Sequence, residues 1–250
     1  MVQRDPAGSE GHGDVVVDWA DVRARGVVYE DDACLVIDKP SDLTLVGDRD
    51  HLDLMTAARE AGEWLMPAHR IDRVTSGLVL LAKSLEAHAM LTQQFRDRSV
   101  SKRYLAIVVG GGLPERATID LPLREGRKAR TRVAAARVDV SFDEWALRWS
   151  AKPDMPDARR ATTTFERVAE CERASLVMAR PVTGRRHQLR VHFAWIGHAV
   201  VGDPLFESNP SGRRTRLHST ELAFDSAPGN RIECRSEPGA DFFAGFPELG

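Results

Sequence analysis

His69-Arg70-Ile71-Asp72-Arg73-Val74-Thr75-Ser76-Gly77 leads without a break into the apolar run Gly77–Ala82, GLVLLA. A continuous apolar run of that length, fed by a turn-like polar segment, reads as a buried strand. Asp72 stands at its mouth, bracketed by Arg70 and Arg73. A carboxylate drawn toward low dielectric is pushed to protonate unless a cation compensates. With a guanidinium beside it the group stays ionised, and an ionised, sheltered carboxylate is a nucleophile or a base. On spacing alone the run reads rather as a turn carrying surface ion pairs.

Outward from this segment the chain alternates short strands with occasional helices. Ser84 is placed to cap a helix running to about Asp97, with Ala87, Leu91 and Phe95 four apart on one face. Tyr104–Val109 reads as a strand stopped by Gly110-Gly111-Gly112. Upstream, Val27–Tyr29 and Cys34–Ile37 flank Glu30-Asp31-Asp32 as a hairpin, Lys39-Pro40 ends the second arm, and His51–Ala61 reads as a helix. Residues 1 to 25 are polar and glycine-containing, which predicts a flexible N-terminal segment ahead of one domain over 26–250. The basic stretch near 123–160 lacks periodicity and is expected to protrude as a loop or ribbon. Thr162–Val168 and Ser175–Ala179 read as strands, His187–Ile196 as a helix, and Leu217–Phe224 and Arg231–Cys234 as closing strands. Neighbouring strand pairs interrupted by helices predict an α+β fold on a central mixed or antiparallel sheet with flanking helices.

The 250 residues carry 35 Lys plus Arg against 37 Asp plus Glu, a formal charge of -2, and are 42% hydrophobic, enough for a core. No apolar run approaches the roughly 18 residues needed to span a bilayer, and the N-terminus lacks a secretory core. Three distant cysteines (Cys34, Cys171, Cys234) fit a reduced, cytoplasmic chain. No C-x-x-C or HExxH spacing is present, Gly110–Gly112 is not followed by Lys and Ser/Thr, Ser76 is not in a G-x-S-x-G elbow, and no GxGxxG occurs. Neither a metal nor a cofactor is therefore expected. Charge distribution is more informative than the total. Leu121–Arg160 holds ten basic and six acidic residues, including Arg124, Arg127, Lys128, Arg130 and Arg132, and a second cluster comprises Arg180, Arg185, Arg186 and Arg190. Such clusters are either solvated faces or the footprint of a polyanion.

His69–Lys83, HRIDRVTSGLVLLAK, resembles the signature of the RluA family of pseudouridine synthases, HRLDRxTSGLLLLAK. Val27–Leu43 (VVYEDDACLVIDKPSDL) is similar to that family's opening hairpin, Ser101–Gly110 (SKRYLAIVVG) to its K-x-Y strand, and Arg180–Phe206 to its long C-terminal motif; Arg216–Phe224 matches more loosely. The blocks lie in family order. The resemblance implies a pseudouridine synthase fold with an RNA-binding cleft and a cofactor-free isomerisation of uridine in structured rRNA or tRNA.

It also implies roles. Asp72 takes the place of the catalytic aspartate, attacking either ribose or pyrimidine; Arg190 that of the basic residue paired with it; and Tyr104 that of the tyrosine that stacks on the target base and relays a proton, unless it is only a strand aromatic. Leu189 corresponds to a base-pocket residue, or is plain core. Arg70 would fill the gap left by a flipped base, while Lys102, Arg186 and the basic segment Arg124, Arg127, Lys128, Arg130, Arg132 would contact RNA. Trp145 and Trp149 either stack on bases or pack the segment that carries them. Asp38 stands where relatives have asparagine, and Asp42 where a glycine is common. No S4 RNA-binding domain is expected before Val27. A monomer with RNA as partner and no membrane contact is expected. The rivals are a catalytically silent RNA-binding module and a hydrolase using Asp72 to release free base.

Overall fold

The computed structural model describes residues 18–47, 53–126, 130–153, 155–210 and 214–250. The first half contains α1 (Trp19–Gly26), β1 (Val27–Glu30), β2 (Cys34–Lys39), α2 (Leu54–Glu60), β3 (Met66–Pro67), β4 (Ser76–Ala82), α3 (Leu85–Asp97) and β5 (Ser101–Val109). Then come β6 (Arg116–Asp120), β7 (Leu123–Glu125), β8 (Thr131–Val133), β9 (Ser141–Asp143) and β10 (Arg148–Ser150). The chain closes with β11 (Thr162–Cys171), β12 (Ala174–Pro181), α4 (Gln188–Trp195), β13 (Leu217–Ala227) and β14 (Asn230–Arg235). Twelve strands form one sheet in the order β1-β2-β4-β13-β5-β12-β11-β6-β10-β9, with β14 on β13 and β3 on β4, and β7 pairs β8 apart from it. Only β4 with β13 and β10 with β6 run parallel. The fold is α+β on a mixed sheet.

β4 sits at the sheet's interior, and all seven of its residues are buried. Its alternating side chains feed two cores, Val79 and Leu81 with α1, α2 and α4 on one face, Leu78 and Leu80 with α3 on the other. α3 begins as its sequence requires, Ser84 accepting from the Ala87 amide at 3.1 Å. α2 is shorter than read, beginning after Asp53, which accepts from the Thr56 amide.

One expectation is corrected. The N-terminal segment is not loose as far as Arg25. Asp18 caps α1, Trp19 is buried with its indole N–H on Glu63 at 2.8 Å, and Arg23 bonds both Glu30 and Glu63. Glu63, about 40 residues away, supplies what local pattern lacked; residues 1–17 lie outside the described residues. The described residues of 123–160 are divided between two strand pairs. Leu123, Val133, Ala134 and Ala135 are buried, anchoring the β7–β8 ribbon against α4, and β9–β10 extends the main sheet through β6. Trp149 packs within this extension, 4.3 Å from Phe142 and 6.1 Å from Phe165 between ring centroids.

His192, fully buried in α4, has its Nε2 3.0 Å from the Leu121 carbonyl, so Nε2 carries the proton and Nδ1 accepts from Thr163 Oγ1 at 2.9 Å. Burial pushes its pKa down to about 4. Between the ordinary histidine value and 4 the unfolded chain takes a proton that the folded one refuses, so stability falls as pH falls through that window. From pH 7 to 5 this amounts to about 2 kcal/mol. Urea midpoints across that range should show the loss, and His192→Gln should remove about this share of it, the buried His69 keeping its own.

Candidate active site

The register of three strands builds the floor of the site. β4 pairs with β13 so that Ser76 faces His218 and Gly77 faces Ser219, and Ser219 faces Tyr104 of β5 on its other side. Asp72, five residues before Gly77, is thereby delivered two strands from Tyr104. Glycine is required at 77: φ is 102°, and a Cβ would collide with the Ser219 backbone. Ser76 bonds His218 Nδ1 at 2.9 Å and accepts from Arg214 at 2.9 Å, so this hydroxyl fastens the strand start.

α4 supplies the counter-charge. Its first residue, Gln188, is pinned on all sides: its carbonyl accepts from Thr183 Oγ1 and the Arg185 amide, and its amide donates to Thr162 O and Thr163 Oγ1. Two residues on, Arg190 Nη1 donates to Asp72 Oδ2 at 2.8 Å, while Nε and Nη2 fork onto Asp203 at 2.7 Å each. Asp203 is fully buried, and its Oδ1 also accepts from the Leu205 and Phe206 amides. Burial opposes the Arg190 charge, but the bonds and attraction of Asp203 and Asp72 outweigh it and hold its pKa above the ordinary arginine value. Asp203 locks the planar fork, leaving one N–H aimed at Asp72. The Asp72 side chain is 22% exposed, the Arg190 side chain 3%. The carboxylate thus meets the solvent of the cleft and the cation lies behind it.

Sequence reading missed Asp203 and Lys39. The Lys39 side chain is fully buried, donating to the carbonyls of Pro40 at 2.6 Å, Leu43 at 2.9 Å and Arg73 at 3.2 Å. Arg73 directly follows Asp72, so this ammonium fastens the Asp72 segment to the end of β2. Burial pushes it down to about 7, against the attraction of Asp42 and Asp72. The Gly202-Asp203-Pro204 turn and the Lys39-Pro40 strand end are the only sequence signals of either. Asp42, standing where glycine was expected, has φ 63°. Aspartate tolerates that conformation, and its Oδ1 lies 3.4 Å from Arg73 Nη1.

Above this floor lies a cleft of about 1280 Å³. It brings together Arg70, Asp72, Lys102, Tyr104, Arg186, Leu189 and Arg190, as well as His69 and His187. Leu189 serves both alternatives, being buried in the main core and lining the cleft. Tyr104 is 8% exposed, and burial pushes its phenol up to about 12, so it remains protonated. Lys102 rests on the Phe95 ring at 5.6 Å, its pKa lowered by burial. His187 Nε2 is 3.8 Å from Asp72 Oδ1, and burial lowers its pKa despite that carboxylate. His69 accepts from the Leu80 amide at 3.1 Å and stacks on Phe95, a framework role. Arg124, Arg130 and Arg132 are not among the cleft-lining residues; Arg124 and Arg132 face each other across the β7–β8 ribbon. Arg127 and Lys128 lie outside the described residues.

Residues 33–195 match the family described as RNA pseudouridylate synthase. The chain belongs to this family of RNA pseudouridine synthases. It is 34% identical over 218 residues to the dual-specificity RNA pseudouridine synthase RluA of Vibrio parahaemolyticus, covering 82% of this chain and 78% of that one. The Escherichia coli K12 RluA is 32% identical, with coverage of 86% and 93%. The mitochondrial tRNA pseudouridine(32) synthase of Saccharomyces cerevisiae is 32% identical over 73% of this chain and 37% of its own. The fold matches human RNA Pseudouridylate Synthase Domain Containing 4 with a TM-score of 0.74 at 22% identity, over 93% and 96% of the two chains. An RNA pseudouridine synthase is an isomerase; Asp72, Tyr104 and Arg190 fall within the matched residues, and the cleft extends beyond them to Pro204, Leu205 and Leu217.

Proposed function

We propose that residues 26–250 form a catalytic domain that isomerises uridine to pseudouridine in structured ribosomal or transfer RNA, with Asp72 as nucleophile. The supporting observation is the Arg190–Asp72 contact at 2.8 Å, which joins residues 118 apart at the floor of a basic cleft. In this reading a flipped uridine enters the cleft, Arg70 occupies the vacated stack, and Tyr104 lies against the base. Asp72 attacks ribose or pyrimidine, the N-glycosidic bond breaks, and the base turns and bonds the ribose through C5. The bond to the Asp72 carboxylate is released, and the C5 proton leaves to water in the cleft while N1 takes one up. Because the Tyr104 phenol is held protonated, stacking suits it better than starting as a base for the C5 proton. Lys102 and Arg186 hold flanking phosphates.

The chain works as a monomer in the cytoplasm in this reading; its three cysteines are free thiols, and no described helix is long and apolar enough to cross a membrane. Unmodified rRNA and tRNA transcripts incubated with the protein, then digested to nucleosides, should yield a uridine isomer of unchanged mass. Free uracil would instead mark a hydrolase and refute the proposal.

The β7–β8 ribbon is assigned to the RNA backbone. Arg124 and Arg132 repel each other across it unless an anion lies between them. Replacing Arg124, Arg130 and Arg132 by Gln should reduce the slope of log affinity against log salt by about 2. An unchanged slope would remove the ribbon from the interface.

A further inference from the structure

A second groove, of about 330 Å³, meets the cleft at the end of β12 and shares Thr164 and Arg180 with it; its Arg103, Arg180 and Arg116 alternate with Tyr104, Ala179 and Ala117 and so lie on the other face of the sheet. It runs from Arg103 and Arg180 past Arg116 to the Ala146–Leu147 tip of the β9–β10 hairpin. Three guanidiniums line it against one carboxylate, Glu166. Arg103 is 3.6 Å from Glu221, whereas among the described residues neither Arg116 nor Arg180 is in an ion pair. At the hairpin tip, next to Ala146, stands Trp145, 99% exposed. It is not carried on a loose loop. Asp143 Oδ1 accepts from the Trp145 and Ala146 amides at 2.9 Å each, Leu147 takes a left-handed φ of 46°, and β10 is hydrogen-bonded into the main sheet. A large aromatic carried into water on a hydrogen-bonded hairpin at the end of an arginine track has the composition of a single-strand nucleic-acid path, in which cations follow the backbone and an aromatic face takes a base.

We propose that this groove binds the single-stranded nucleotides next to the target uridine, their phosphodiesters on Arg180, Arg103 and Arg116 and one base stacked on Trp145. The inference rests on the RNA-modifying reading of the cleft, since continuity with it through Arg180 and Thr164 directs the same strand into the groove. Recognition there is sequence-tolerant, because every base offers a face for stacking. The subsite extends the contacted RNA beyond the flipped nucleotide.

The test uses one stem–loop substrate in two forms, trimmed to the paired stem or extended by a short single strand on either side. The wild-type protein should bind the extended form about tenfold tighter, the worth of one stacked base. Trp145→Ala and Arg116→Glu should each bring the two forms to within about twofold of one another, while Trp145→Phe should restore most of the difference. With Trp145 wholly in solvent and Arg116 exposed, neither change threatens the fold, and thermal midpoints check this. A wild-type protein indifferent to the extension, or a preference that survives both variants, overturns the subsite; in the second case the extension is held elsewhere on the protein. Wild-type turnover of the two forms is scored separately. Absence of turnover with both forms would refute the catalytic reading, and turnover with no effect of the extension would refute only the groove.

Discussion

Asp72→Asn is expected to lower the rate of pseudouridine formation by about 10⁴-fold or more, the usual consequence of deleting a nucleophile. The change is close to isosteric, and Arg190 keeps both bonds to Asp203, so no buried charge is stranded. The Asp72 side chain borders the cleft, so the fold does not depend on it. Affinity for RNA should stay within about threefold or tighten slightly, since a negative charge facing a polyanion has been removed. Single-turnover rates with saturating enzyme separate the two effects. A variant that turns over within tenfold of wild type would show that the carboxylate does not react.

Asp203→Asn carries the second-largest effect and acts at a distance. Arg190 is then a buried cation without its forked partner, which costs about 3 kcal/mol of stability. It is also free to swing toward Asp72 or away from it, and a displacement of about 1 Å at the reacting group costs about 10²-fold in turnover. Stability and turnover can be separated with a double variant, Arg190→Met with Asp203→Asn, whose Oδ1 still accepts from the Leu205 and Phe206 amides. With the buried cation gone no charge is stranded beside the new carboxamide, so the melting midpoint should recover while turnover stays low. Recovery of both would make the pair merely structural.

Much of the site was legible in the sequence, for reasons tied to particular residues. Asp72 and Gly77 lie in one short segment entering an all-apolar strand, so the position of the carboxylate followed from local pattern, and the family motif assigned its partner to Arg190. α3 was legible because Ser84 and the spacing of Ala87 and Leu91 are local signals. α1 was not, because Trp19 and Arg23 are both held by Glu63, about 40 residues on, a contact that no local window of sequence contains. β9 and β10 are three residues each and become strands only by joining β6. Asp203 and Lys39 escaped notice because charged residues are expected at the surface. Their burial is made tolerable by Arg190 in one case and three carbonyls in the other, and neither partnership leaves a trace in spacing.

Pseudouridine mapped across the RNA of cells lacking the gene, and of the same cells carrying either the wild-type gene or Asp72→Asn, tests the central claim most directly. At least one uridine should lose its modification on deletion, regain it with the wild-type protein, and remain uridine with Asp72→Asn. A map unchanged by deletion, or restored by the Asn variant, would contradict it.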